Sequence, residues 1–99
     1  MAISTLLSAV AAPGASSAMD TADADYVHVQ VYSAAGSTAT VLIQQSVNGT
    51  VWFDVVTMTD PSATGEIWSV APIAYTRVNV TAWAAGAITA VAQAERSVT

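Results

Sequence analysis

Alternation between apolar and polar side chains organises this chain. From Tyr75 to Trp83, the residues Tyr75, Arg77, Asn79, Thr81 and Trp83 fall on one side, and Thr76, Val78, Val80 and Ala82 on the other. A period of two, rich in Val, Thr and aromatic residues, predicts a β-strand. Ala84-Ala85-Gly86 interrupts the run and Ala87 to Gln93 resumes it. That predicts a β-hairpin closed by a short glycine-containing loop, against which the earlier segments pack.

The same pattern recurs upstream. Tyr26 to Ser33 sets Val27, Val29 and Val31 against Tyr26, His28, Gln30 and Tyr32, as in a half-buried strand whose second face is amphipathic. After Ala34-Ala35-Gly36-Ser37, the strand Thr38 to Ser46 sets Val41, Ile43 and Gln45 opposite Thr40, Leu42, Gln44 and Ser46. Asn48-Gly49 is the sharpest local signal, because a type I′ turn needs positive φ at both central residues. It predicts antiparallel pairing of Thr38–Val47 with Thr50–Thr59. In the second arm Trp52, Asp54, Val56 and Met58 share one side, and Val51, Phe53, Val55 and Thr57 the other. Asp60 to Gly65 is a turn by composition, and Glu66 to Val70 a short strand.

The N-terminal residues fit more than one template. Ile3, Leu6, Leu7 and Val10 match the spacing of a helix face, while Ser4 to Val10 also reads as an edge strand. A third form is an arm that packs on a neighbouring subunit. We favour a strand or extended arm, ended by Pro13-Gly14. A short strand is expected within Ser16–Asp20, and Glu95–Thr99 reads as a loose end. The pattern is therefore all-β: a small antiparallel β-sandwich of six to seven strands with an extended N-terminal segment. Its 99 residues make one domain, with residues 1–14 as the arm.

Composition changes the picture in one respect. The chain is 54% hydrophobic and only 9% charged, where about 25% charged is usual, so its surface is either uncharged and polar or covered by other protein. Lysine is absent, and Arg77 and Arg96 stand against seven acids for a net charge of −5. Two separated arginines cannot neutralise a phosphate backbone, so nucleic acid is not an expected partner. No apolar run approaches the roughly 20 residues of a membrane helix, and no membrane partner is expected. The apolar run Ile3 to Ala12 has no Lys or Arg before it, so a secretory leader is not expected. Without cysteine there is no disulfide framework and no thiolate metal site.

Candidate chemistry is sparse. His28 sits mid-strand with no nucleophile signature around it, so it reads as a packing or hydrogen-bonding residue. Asp20, Asp23 and Asp25 invite a calcium reading, but the loop lacks the glycine and the closing glutamate of a calcium loop, and a turn capped by its own carboxylates fits better. Asp54 and Glu66 fall on neighbouring predicted strands; they are expected as outward sheet residues, and either would pair structurally with Arg77. Trp52, Trp68, Trp83, Tyr75 and Phe53 suit a core and subunit contacts better than a sugar platform. No catalytic residue, cofactor or metal is expected.

Three segments resemble small phage structural proteins: Leu6–Asp20, Ala39–Val55 and Pro72–Ala90. In these proteins a strand ends in a hairpin of the form seen at Gln45-Ser46-Val47-Asn48-Gly49-Thr50-Val51-Trp52. A later strand follows the form of Ala74-Tyr75-Thr76-Arg77-Val78-Asn79-Val80-Thr81-Ala82 before a glycine turn. The resemblance covers roughly residues 5–93 and implies a non-enzymatic virion part, often multimeric. The expected role is a capsid decoration (cement) protein at the capsid surface of a bacteriophage assembled in the host cytoplasm. Its partners would be the major capsid protein and copies of itself, for example as a trimer. Contact residues are expected among Ile3, Leu6, Leu7, Val10, Tyr26, Tyr32, Trp68 and Trp83. The alternatives are a carbohydrate- or receptor-binding module of a fibre or tail, and a tail-tube or connector component.

Overall fold

Alternating valines build the two inner faces of the molecule. The computed structural model describes residues 2–95, and these form β1 (Ala2–Val10), β2 (Gly14–Ala15), β3 (Met19–Asp20), β4 (Tyr26–Tyr32), β5 (Thr38–Ser46), β6 (Phe53–Thr59), β7 (Glu66–Val70), β8 (Tyr75–Ala85) and β9 (Ile88–Glu95). The expected all-β sandwich is present, with nine strands rather than six to seven; β3 falls within the short strand expected at Ser16–Asp20, and the two-residue β2 is too short to leave a periodic signal. One sheet runs β1-β9-β4-β7 and the other β2-β8-β5-β6, with β3 also pairing β8. Every pairing is antiparallel.

Val27, Val29 and Val31 of β4, Val41 and Ile43 of β5, Val78 and Val80 of β8, and Ile88 of β9 are buried in one cluster. Burying each such side chain contributes about 1.5–3 kcal/mol. Ala90, Ala92 and Ala94 complete the inner side of β9, which lies between β1 and β4. One end of the core is polar. Thr76, Thr21 and Gln45 are buried there, and the Gln45 amide donates to the Ala71 carbonyl and, at 3.2 Å, to the Thr76 hydroxyl. Thr21 shares a 3.1 Å hydrogen bond with Thr76 and donates to the Ile73 carbonyl, so the β7–β8 connection is held by paired polar groups.

Bulges decide which side chains face inward. In β1 the pairing with β9 shifts between Thr5 and Leu7 and again between Leu7 and Val10. Leu7 turns into the core while Leu6 and Val10 pack against it. The helix-like spacing of Ile3, Leu6, Leu7 and Val10 is thus produced by a twice-bulged edge strand of the molecule's own sheet, and not by a helix or a free arm. In β8 a shift opposite Thr40 and Val41 reverses the phase after Thr81, so Trp83 leaves the side of Tyr75, Arg77 and Asn79 and packs against the core. In β6 a shift opposite Ile43 and Gln44 separates Val56 and Met58, which turn inward, from Trp52 and Asp54, which do not.

The Asn48-Gly49 hairpin joins β5 to β6 as expected, but by a six-residue connection rather than a two-residue type I′ turn. Gly49 has φ of 77° and Asn48 is not in the positive region. Instead the Asn48 carboxamide oxygen accepts the N–H groups of Thr50 and Val51, an Asx-type turn. The chain end also differs from expectation: Glu95 belongs to β9, and Arg96–Thr99 lie outside the described residues.

The predicted hairpin of Tyr75–Trp83 with Ala87–Gln93 does not form. β8 pairs with β5 and β9 with β4 and β1, so Gly86 is a corner at which the chain passes from one sheet to the other. Strand, glycine, strand is the signature of both connections, and local pattern does not separate them. The Trp83 indole N–H donates to the Gly86 carbonyl at 2.8 Å and fixes the corner. Gly86 has φ of 100°, and a Cβ there would lie 2.5 Å from Ser37 Cβ and 2.7 Å from the Gly36 oxygen. Gly86→Ala is expected to cost about 3 kcal/mol, from left-handed strain plus backbone overlap, and to lower the thermal midpoint by roughly 10–20 °C. An unchanged midpoint in calorimetry would show that the corner tolerates a side chain at this position.

Candidate functional site

The outer face of the β1-β9-β4-β7 sheet is built by the residues that alternate with the core valines. Register places Ile3 beside Gln93, Gln93 beside His28, and Gln30 between Val91 and Ile67. These six residues line a shallow depression of about 210 Å³. Ile3 and Ile67, on opposite edge strands, are 64% and 67% exposed, so the depression has a protruding apolar side chain at each margin. Tyr26 and His28 lie along β4 with ring centroids 4.9 Å apart. At that end the Tyr26 hydroxyl donates to a Glu95 carboxylate oxygen, which also accepts from Gln93 at 3.3 Å. The bond to Glu95 raises the Tyr26 phenol above the ordinary tyrosine range, with desolvation and the neighbouring negative charge adding to it.

The outer face of the other sheet is stitched together. Arg77 Nε donates to Gln44 Oε1 at 2.9 Å, and Gln44 Nε2 donates to Asp54 Oδ1 at 2.8 Å. Asn79 reaches the same Gln44 oxygen at 3.4 Å, and the Arg77 guanidinium stands 4.2 Å from the centroid of the Trp52 ring. Arg77 and Asp54 are thus joined through Gln44, a residue that sequence reasoning passed over as one of several strand polars. Glu66 is not part of this set: β7 lies in the opposite sheet, so Asp54 and Glu66 are not on neighbouring strands.

The remaining candidate residues separate by depth. Leu7 is buried, and Leu6, Val10, Trp68 and Trp83 pack against the core of the same molecule. Ile3, Tyr26 and Tyr32 belong to the outer face of the first sheet. The Trp68 indole N–H is buried without a hydrogen-bond partner among the described residues. The three tryptophans form no common platform: Trp52 lies under Arg77, Trp68 is on β7, and Trp83 sits at the Gly86 corner. Trp83 and Asp60 border a second depression of about 200 Å³, where the Asp60 carboxylate accepts the Ala39 N–H. The Asp20 carboxylate accepts the Ala22 N–H, as in a self-capped turn, and no cluster able to hold a metal ion occurs among the described residues. Among the described residues no helix is long and apolar enough to cross a membrane. The missed members of the outer face, Ile67, Val91 and Gln93, each sit at alternating positions of their strands, and only the strand order brings them beside His28 and Gln30.

An antiparallel two-sheet sandwich with one stitched and one open outer face is the class these observations define. The solved structure of the SPBc2 prophage-derived protein YomS shares the fold, with a TM-score of 0.70, covering 92% of this chain and 88% of that chain at 14% sequence identity. At that identity the likeness is one of fold. No protein-family model and no curated protein matches the chain.

Two predictions follow from the polar contacts. Gln44→Ala breaks both links of the relay at a buried position and is expected to cost about 2 kcal/mol, whereas Asp54→Asn keeps an acceptor for Gln44 and is expected to cost under about 1 kcal/mol. Equal losses in denaturant titrations of the two variants would mean that Arg77 and Asp54 interact directly. For Tyr26 the sign is set by its raised folded-state value. Its hydrogen bond contributes below the ordinary phenol range and is lost as pH rises through the raised value. In Glu95→Gln, tyrosinate absorbance at about 295 nm should therefore develop at lower pH than in the parent protein. Superimposable titrations would show that Glu95 does not hold the Tyr26 proton.

Proposed function

We propose that this chain is a non-enzymatic structural component of a phage virion, acting at the head surface as a decoration protein that binds the major capsid protein and copies of itself. The observation that carries the reading is the fold it shares, over nearly its whole length, with a prophage-derived protein. The surface supports it. Val47, Val51, Phe53 and Ile67 are exposed while charged residues are few, a composition suited to protein contacts rather than to a freely solvated monomer. The apolar group at the β5–β6 end, Val47, Val51 and Phe53, is the contact we assign to the coat protein. A stacking platform for sugars has less support, since the tryptophans lie apart.

The test is binding of the purified protein to undecorated heads. The expected result is saturable binding in a fixed ratio to coat subunits, with the heads more resistant to heat. Phe53→Glu, at an exposed position, should lower occupancy at least tenfold without lowering the melting temperature of the free protein. Absence of the parent protein from heads under all conditions, together with glycan binding that Trp83→Ala abolishes without loss of folding, would replace this reading with the carbohydrate-binding one.

A further inference from the structure

We propose that the outer face of the β1-β9-β4-β7 sheet is the surface on which two copies of this chain meet, with the exposed isoleucines of one copy seated in the depression of the other. The proposal specifies the self-association in the function above and rests on that part of it alone.

Charge selects the occupant. The chain carries a net charge of −5, so two copies repel across most orientations. The acids are unevenly placed. Asp20, Asp23 and Asp25 lie along the chain entering β4, and Asp54 and Asp60 lie on or beside β6 of the other sheet. Glu66 pairs with Val31, in the register of inward-pointing residues at the β7 rim. Glu95 alone reaches the outer face of the first sheet, at its end, where Tyr26 and Gln93 bond its carboxylate. The centre of that face consists of isoleucine, valine, two glutamines and His28. An identical copy can lie there without bringing carboxylates together, and any amide left unpaired by one copy meets an amide of the other. Among the described residues, the centre of the face holds no carboxylate for a basic partner to recognise and no arginine for an acidic one.

Shape agrees with charge. A pair built about a two-fold axis is isologous, so one protruding residue and one hollow per molecule make two matched contacts. Ile67 and Ile3 are the protrusions and the depression between them is the hollow. The size of the face sets the strength. Four strands about 4.8 Å apart and about seven residues long span roughly 400 Å² of sheet, about half of the roughly 800 Å² per partner of a stable interface. The contact is therefore weak in free solution and becomes lasting when both copies are also held by a particle surface.

Sedimentation velocity over a range of concentration and salt tests this. The parent protein should associate reversibly, and more strongly as salt rises, because screening removes the repulsion between like-charged copies but leaves the apolar contact. Ile67→Glu and Ile3→Glu should each weaken association at least tenfold while keeping the parent melting temperature, since both positions are largely exposed. Phe53→Glu, on the other sheet, should associate like the parent. A parent protein that stays monomeric to about 0.5 mM at high salt would overturn the proposal, as would association lost in Phe53→Glu and kept in Ile67→Glu. Head binding by a variant that no longer self-associates leaves the coat-protein contact standing, so the two readings fail separately.

Discussion

The fold depends on one corner. β8 runs in one sheet and β9 in the other, and only Gly86-Ala87 separates them. The chain must cross the thickness of the core, about 10 Å between sheet planes, within that span. No residue with a Cβ fits where Gly86 passes Gly36 and Ser37, and the Trp83 indole secures the carbonyl on the inner side. Because β9 then lies between β1 and β4, this crossing positions three of the four strands of the open sheet. The face proposed for self-association is a consequence of where the corner delivers β9.

Strand identity was legible in the sequence, and strand phase was not. The valine alternation of Tyr26–Tyr32 and of Thr38–Ser46 survives unchanged, because neither β4 nor the central part of β5 is itself bulged. Elsewhere a single extra residue reversed the assignment. Trp83 was expected beside Arg77 and faces the core, and Trp52 was expected beside Met58 and lies under Arg77. A bulge is defined by two strands together, so no window along one strand contains it. The N-terminal strand is the clearest case: two bulges gave it apolar spacing that a helix would also produce. The sheet to which a strand belongs was equally hidden, which is why Glu66 was placed on a strand neighbouring that of Asp54 when β7 lies in the other sheet.

Few charges do not leave this sandwich without polar organisation. Amides do what ion pairs do elsewhere. Gln44, almost fully buried, links the one described arginine to a carboxylate and collects Asn79 as well. Gln45, next in sequence and facing the opposite way, satisfies the carbonyl of the β7–β8 connection. Adjacent residues of one strand thus bind the outer surface and the core end. A neutral amide costs less to bury than a charge and can both donate and accept, which suits a chain with almost no cations to spend.

The contrast between the two outer faces is the strongest structural argument for assembly. One face has its arginine, amides and carboxylate satisfied by one another, with an aromatic ring beneath the cation, so those polar groups are already paired. The other has isoleucines standing out at both margins of a hollow, glutamines and a histidine at its centre, and its single carboxylate held at the end by tyrosine. Both faces come from strands with the same alternation, so the difference lies in which side chains the outward positions carry. Solvent alone would be met as well by a second stitched face. An open face whose centre, among the described residues, holds no carboxylate or arginine is instead suited, in an acidic protein, to a surface of the same kind, and the same sheet of another copy is one.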